Sequence, residues 1–302
     1  MKKRIIWALT AALVLGGCEA ASVKESDAGS TDLGTTPVKS THKIYVFDTL
    51  GFTKLDKDGN APGFNLDGKN SDGNDTSTCG HSDFTSPSGE EGIDNQFATV
   101  VPLMEATRIS AVETLLQSSI ESGGILLLLE FDGLDDLVND PQVDVRVRAA
   151  FGAPLLGTDG RLLTGQTFHL SPRDPHVDAG NAVIKDGIVN LGPFDIDLPV
   201  QVFGKDYMLE ARGTYVRFRI VDDERITDGT LGTGVTISSV KTLATKAAEG
   251  ESDILPIVES LVAGEGDLAM DADGNCTQMS ATLAFSGVSA FFFPADVTGT
   301  GK

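Results

Sequence analysis

The sequence predicts an α+β, β-rich fold: an antiparallel sheet or sandwich with two or three packed helices. Three observations predict it. Val143-Asp144-Val145-Arg146-Val147-Arg148 and Tyr215-Val216-Arg217-Phe218-Arg219-Ile220 alternate apolar and polar residues, the pattern of strands with one wet face. Turn residues recur about every eight to twelve positions through the middle of the chain, too closely for repeated βαβ units. Helical spacing of three and four is confined to a few short stretches.

Taken in order, Lys2, Lys3 and Arg4 precede an uninterrupted run of apolar or small residues from Ile5 to Leu15. This is a secretory leader, too short to span a bilayer with its own flanks. Leu15-Gly16-Gly17-Cys18 closes it and resembles the lipobox of bacterial lipoproteins. The resemblance implies a signal peptide over 1–17, with Cys18 acylated on sulfur, as by palmitate, and left as the first residue. Glu19 follows, where lipoproteins retained at the inner membrane carry Asp, so the resemblance implies a lipid anchor at the cell outer membrane. Residues 18–41 are rich in Ser, Thr, Asp, Gly and Ala and predict a flexible tether. Residues 42–302 are then a single β-rich globular domain.

Lys43-Ile44-Tyr45-Val46-Phe47 is the first strand-like run. From Asp56 to Glu91 turn dipeptides follow almost back to back, which predicts a long irregular loop. Asp94 is placed to cap a helix in which Phe97, Val100, Val101, Met104, Ile109, Val112, Leu115, Leu116 and Ile120 recur at helical spacing. Pro102 marks its first turn or a kink, and Gly123-Gly124 ends it. Ile125 to Phe131 reads as a strand buried on both faces. Val183 to Val189 carries the Asp186-Gly187 signature of a tight hairpin, and Phe194–Val202 and Tyr207–Val221 alternate again. Helices are predicted near 238–248 and 252–263, and a strand over 277–293 whose Phe291-Phe292-Phe293 cluster reads as core.

A formal charge of −21, more negative still once the leader's three cations are removed, argues against nucleic acid and against adsorption to anionic lipid. With Cys18 lipidated, Cys79 and Cys276 remain as an even pair, read either as a disulfide in an oxidising compartment or as two free buried thiols. Asp56, Asp58 and Asn60 alternate oxygen ligands on a tight turn, with Asp67 at the twelfth position of a loop loosely like a calcium hand. Ala61 stands where such a loop needs Gly. Asp271, Asp273 and Asn275 repeat the wording beside Cys276, so a disulfide would bring both turns to one side of the fold, with calcium as the candidate ion.

Glu130, Asp132, Asp135, Asp136 and Asp140 form another acidic group after a buried strand, a place where paired carboxylates can act. His42, His81, His169 and His176 show no zinc spacing. The sequence contains no Gly-x-Ser-x-Gly elbow or phosphate-cradling loop, and the glycines of Leu231-Gly232-Thr233-Gly234 lack the strand–helix context of a dinucleotide site. No catalytic residue is assigned.

Gly63-Phe64-Asn65-Leu66-Asp67-Gly68, Cys79-Gly80-His81-Ser82-Asp83-Phe84, Gly92-Ile93-Asp94-Asn95-Gln96 and Asp271 to Cys276 together resemble secreted lipoproteins of the myxobacterial type. That resemblance implies export and the cysteine pairing and carries no activity. The leading expectation is a non-enzymatic, lipid-anchored envelope protein of binding or structural type, with the membrane as one partner. The alternatives are a periplasmic carrier of a hydrophobic ligand, lined by the apolar strands and the Phe cluster, and a carboxylate-dependent hydrolase.

Overall fold

The computed structural model describes residues 41–75, 79–105, 112–172, 175–202, 205–247, 262 and 264–297. The leader, Cys18 and the tether to residue 40 lie outside them, as does the helix expected over 252–263 apart from Val262. In chain order the elements are β1 (Thr41–Phe52), α1 (Phe97–Glu105), α2 (Val112–Glu121), β2 (Leu127–Leu134), β3 (Asp140–Phe151), β4 (Gln166–Leu170) and β5 (His176–Lys185). There follow β6 (Ile188–Val202), β7 (Lys205–Asp222), β8 (Arg225–Thr236), α3 (Ile237–Ala247), β9 (Leu268–Met270), β10 (Cys276–Phe292) and α4 (Pro294–Val297).

Short turns make successive strands antiparallel neighbours. β1 pairs with β2, β2 with β3, β3 with β5, and so on through β6, β7 and β8 to β10. β10 then pairs back onto β1, setting Tyr45 opposite Ser289 and Phe52 opposite Leu283. The meander therefore closes into an eight-stranded antiparallel barrel instead of dividing into a sandwich. β4 lies against β3 and β10, and β9 extends from β10. Closure leaves the eight barrel strands no unpaired edge.

Five aromatic rings of the core touch in a row. Tyr45 meets Phe131 edge-on at 5.8 Å, Phe131 meets Phe218 at 6.0 Å, and Phe218 meets Phe285 at 5.9 Å. Phe285 stacks on Phe47 at 4.3 Å. β2 and β7 are not adjacent, so the Phe131–Phe218 contact crosses the barrel. Each such pair contributes about 0.5–1.5 kcal/mol beyond the burial of its area. Val145 and Val147 of β3, Val189 and Leu191 of β6 and Ile226 of β8 are buried in the same cluster. Outside the wall, α2 buries Ile120 and donates from Gln117 Nε2 to the Asp48 carbonyl at 3.1 Å.

The Asp186-Gly187 turn forms as its residues require, both with positive φ, between Lys185 and its partner Ile188. Other expectations need correction. Asp94 does not cap α1; its carboxylate is turned away to the Leu66 and Asp67 N–H groups, and Gln96 precedes the helix, with its carbonyl accepting from Thr99. Periodicity across 97–120 divides into α1 and α2, with 106–111 outside the described residues. β8 carries no strand signal in sequence because Gly229, Gly232 and Gly234 interrupt its alternation. Of the C-terminal phenylalanines only Phe292 is core; Phe291 and Phe293 are 58% and 39% exposed.

Candidate functional site

The two Asp-x-Asp-Gly-Asn turns adopt the same geometry. Asp56 Oδ1 accepts the N–H groups of Asp58 (2.8 Å) and Asn60 (2.9 Å), and Asp271 Oδ1 accepts those of Asp273 and Asn275, both at 2.9 Å. These bonds hold both exposed carboxyls below the usual carboxylate range, with the Asn60 and Asn275 amides the largest cause. Asp67, the expected twelfth position of the Asp56 loop, accepts the Lys69 N–H through its carboxylate at 2.9 Å. Among the described residues no three His, Cys, Asp or Glu side chains converge on a point that could hold a metal ion. Of the residues expected to hold calcium, Asp56, Asp58, Asn60, Asp67, Asp271, Asp273 and Asn275, the carboxylates of Asp56, Asp67 and Asp271 accept N–H groups of their own turns.

Cys79 and Cys276 form the disulfide, with Cα atoms 6.0 Å apart across 197 residues of sequence. It fastens the loop between β1 and α1 to the start of β10. The same loop is pressed on the outer wall elsewhere. Phe64 stacks on Tyr215 at 5.8 Å, the Arg217 guanidinium lies 5.2 Å from the Phe64 ring, and Gly232 leaves room for that ring. Asn95 donates to Thr53 Oγ1 and the Pro62 carbonyl, both at 2.8 Å.

Beneath the loop lies a carboxyl cluster for which the sequence offers no motif. Burial pushes Asp94 up to about 7 against the Leu66 N–H bond, helped by the charges of Asp67, Asp267 and Asp83. Burial also raises Asp83, which hydrogen-bonds Asp94, and lifts Asp267 to about 6 although Ser280 donates to it through both N–H and Oγ. A protonated Asp94 can donate to Asp83, so two carboxyls share a hydrogen bond that two carboxylates could not.

The remaining candidates are committed to structure. Glu130 accepts from Arg148 Nε at 2.9 Å and lies 2.9 Å from His42 Nε2. These partners outweigh its burial and hold it down at about 2. Asp132 pairs with Arg146, Asp136 accepts the Val138 N–H, and Asp140 accepts from Asp135 and Gln142. His81 and His176 reach the carbonyls of Gly264 and Ser171, each at 2.7 Å. His169 is stacked between Phe151 (5.1 Å) and Phe293 (4.1 Å) and lies 3.1 Å from Asp296. With Phe291 these rings make an exposed aromatic face over the ends of β3, β4 and β10.

An open cleft of about 680 Å³ lies where β1, β8 and β10 meet the 159–161 turn and α2. Its volume falls in the usual range for a small-molecule site. Leu50 and Phe285, members of the buried core, belong to its lining, joined by Phe52. Gly51, Gly160 and Gly229 leave bare backbone there; a Cβ at Gly51 or Gly160 would meet nothing within 4 Å. Asp159, Arg161, Asp228 and Glu121 supply the charge. The Gly157-Thr158-Asp159-Gly160-Arg161 turn is readable in sequence only as a turn, since nothing local indicates which strands it approaches.

Comparison with protein-family models, with curated proteins and with solved structures finds no match to this chain. The class it belongs to is defined by geometry alone: a closed eight-stranded antiparallel β-barrel with a buried aromatic cluster.

Proposed function

We propose that this protein is a non-enzymatic carrier of a hydrophobic ligand, held at the outer membrane by acyl chains on Cys18. One observation carries the reading: the buried aromatic cluster is continuous, through Phe285, with the lining of an open cleft of ligand size. The five rings touch one another along the barrel, so the ligand would sit against Phe285 in the cleft, not between the rings. Eight-stranded barrels serve elsewhere as small-ligand holders, which is an analogy of architecture and not of chemistry.

Organic extraction of protein purified from its own envelope should release a co-purifying apolar molecule. N-phenyl-1-naphthylamine should gain fluorescence on binding the delipidated protein. An extract without such a molecule, together with no probe fluorescence, would refute the carrier reading. The anchor is tested separately: labelled palmitate should enter the wild-type chain and not Cys18→Ser.

A second reading, an envelope-binding module, draws on the exposed face of Phe151, His169, Phe291 and Phe293. Serine at Phe291, the most exposed of these rings, should then release the protein from its envelope partner with little change in melting temperature.

A further inference from the structure

We infer that the cleft lined by Leu50, Phe52 and Phe285 takes a long-chain carboxylate, and that Arg161 is the residue selecting the anionic head group. This rests on the carrier reading and adds to it the chemical class of the ligand and a specificity-determining residue.

The lining has two chemistries. Phe52 is partly exposed and offers apolar surface to an alkyl chain, while Leu50 and Phe285, buried in the core, show only an edge to the cleft. The charged groups differ in how they are occupied. Asp159 Oδ1 accepts the Arg161 N–H at 3.0 Å. Asp228 lies 3.8 Å from Arg219 Nε, and Glu121 accepts from Gln117 Nε2 at 3.1 Å. Each carboxylate in the lining thus has a partner. The Arg161 guanidinium has none among the described residues, whereas Arg146, Arg148, Arg212, Arg217 and Arg219 are all ion-paired.

Arg161 shares the lining with apolar residues, and a planar guanidinium is matched by a carboxylate, which it can hold through two parallel hydrogen bonds. The acidic chain as a whole repels anions, but beyond about 8 Å that field is screened at physiological salt. Within the lining Asp228 is paired with Arg219, while Asp159 and Glu121 bond neutral groups and keep their charge, so the two-bond contact with Arg161 has to outweigh them. A neutral alcohol of the same length lacks this contact, and an amine meets the guanidinium as a like charge.

The test uses the full chain carrying Cys18→Ser, which removes the acylation site, and displacement of N-phenyl-1-naphthylamine by dodecanoate, dodecanol and dodecylamine. Dodecanoate should displace the probe at a roughly tenfold lower concentration than dodecanol, the difference a charge-assisted hydrogen bond makes. Arg161→Gln should abolish that advantage and leave dodecanol unchanged. Ala284→Trp, at an exposed position in the lining, should fill the cleft and weaken all three. Both variants should melt as wild type does, since both side chains are exposed. If the probe binds but dodecanoate shows no advantage, or dodecylamine binds best, or both variants behave as wild type, the assignment to this cleft and to Arg161 falls and the carrier reading stands. If the probe does not bind at all, the carrier reading falls and takes this inference with it.

Discussion

Replacing Cys79 and Cys276 together by serine should lower the stability of the domain by close to the full entropy of the loop they close. The two cysteines are 197 residues apart, so the bond restricts most of the unfolded chain. The chain-entropy relation gives about 5 kcal/mol for a loop of this length. The native state loses little else, because the strapped loop keeps its other ties. Thr53 still bonds the Thr282 carbonyl through N–H (3.0 Å) and Oγ1 (3.1 Å), and Thr282 N–H still donates to Asn95. With a urea slope of about 3 kcal/mol/M, the midpoint should fall by roughly 1.5–2 M, and the slope should rise as the unfolded chain expands. Far-UV circular dichroism is the suitable signal, since the single tryptophan, Trp7, lies outside the barrel strands. A loss below about 1 kcal/mol would refute the reasoning, because it would mean that the unfolded chain is already as compact as the cross-linked one.

Three further outcomes are expected. Asp94 and Asp267 are raised in the fold, so the stability they contribute is complete near pH 4 and is lost as pH rises through about 6 to 7; Glu130, depressed to about 2, loses its contribution as pH falls below about 4.5. Thermal melts from pH 3 to 8 should peak near pH 4, Asp94→Asn should flatten the alkaline side, and stability that rises between pH 4 and 7 would contradict the assignment. Gly232→Val puts a carbon 2.6 Å from the Phe64 ring and should cost about 1–3 kcal/mol in urea titration while exposing the loop to protease. Millimolar calcium should move the melting temperature by less than about 1 °C, because the turn N–H groups already occupy Asp56 and Asp271; a rise of several degrees would restore those turns as an ion site.

What could be read beforehand was what local chemistry determines. Asp186-Gly187 needs positive φ at both positions and announces a hairpin; Val143 to Arg148 alternates because one side of β3 is core and the other carries the ion pairs of Arg146 and Arg148. Barrel closure could not be read, since the period-two pattern of a strand is the same whether its sheet splits or joins itself. β8 escaped because its glycines are chosen by distant partners: a side chain at Gly229 would strike Phe285, and one at Gly232 would strike Phe64. The carboxyl cluster escaped for a similar reason. Asp83, Asp94 and Asp267 are far apart in sequence, and Asp94 stands where a helix cap is expected. The cysteine pair, by contrast, is one of two readings that remain once Cys18 is set aside, and the structure selects the disulfide.

The pairing of β1 with β10 also governs the order of folding. The first strand of the barrel must wait for the last, so a nascent chain ending before residue 276 has β1 and β8 without the partner that joins them. Every shorter chain carries two open edges and uncovered aromatic rings, a state prone to pairing with other chains. The domain is thus kept unfinished until it is almost wholly synthesised.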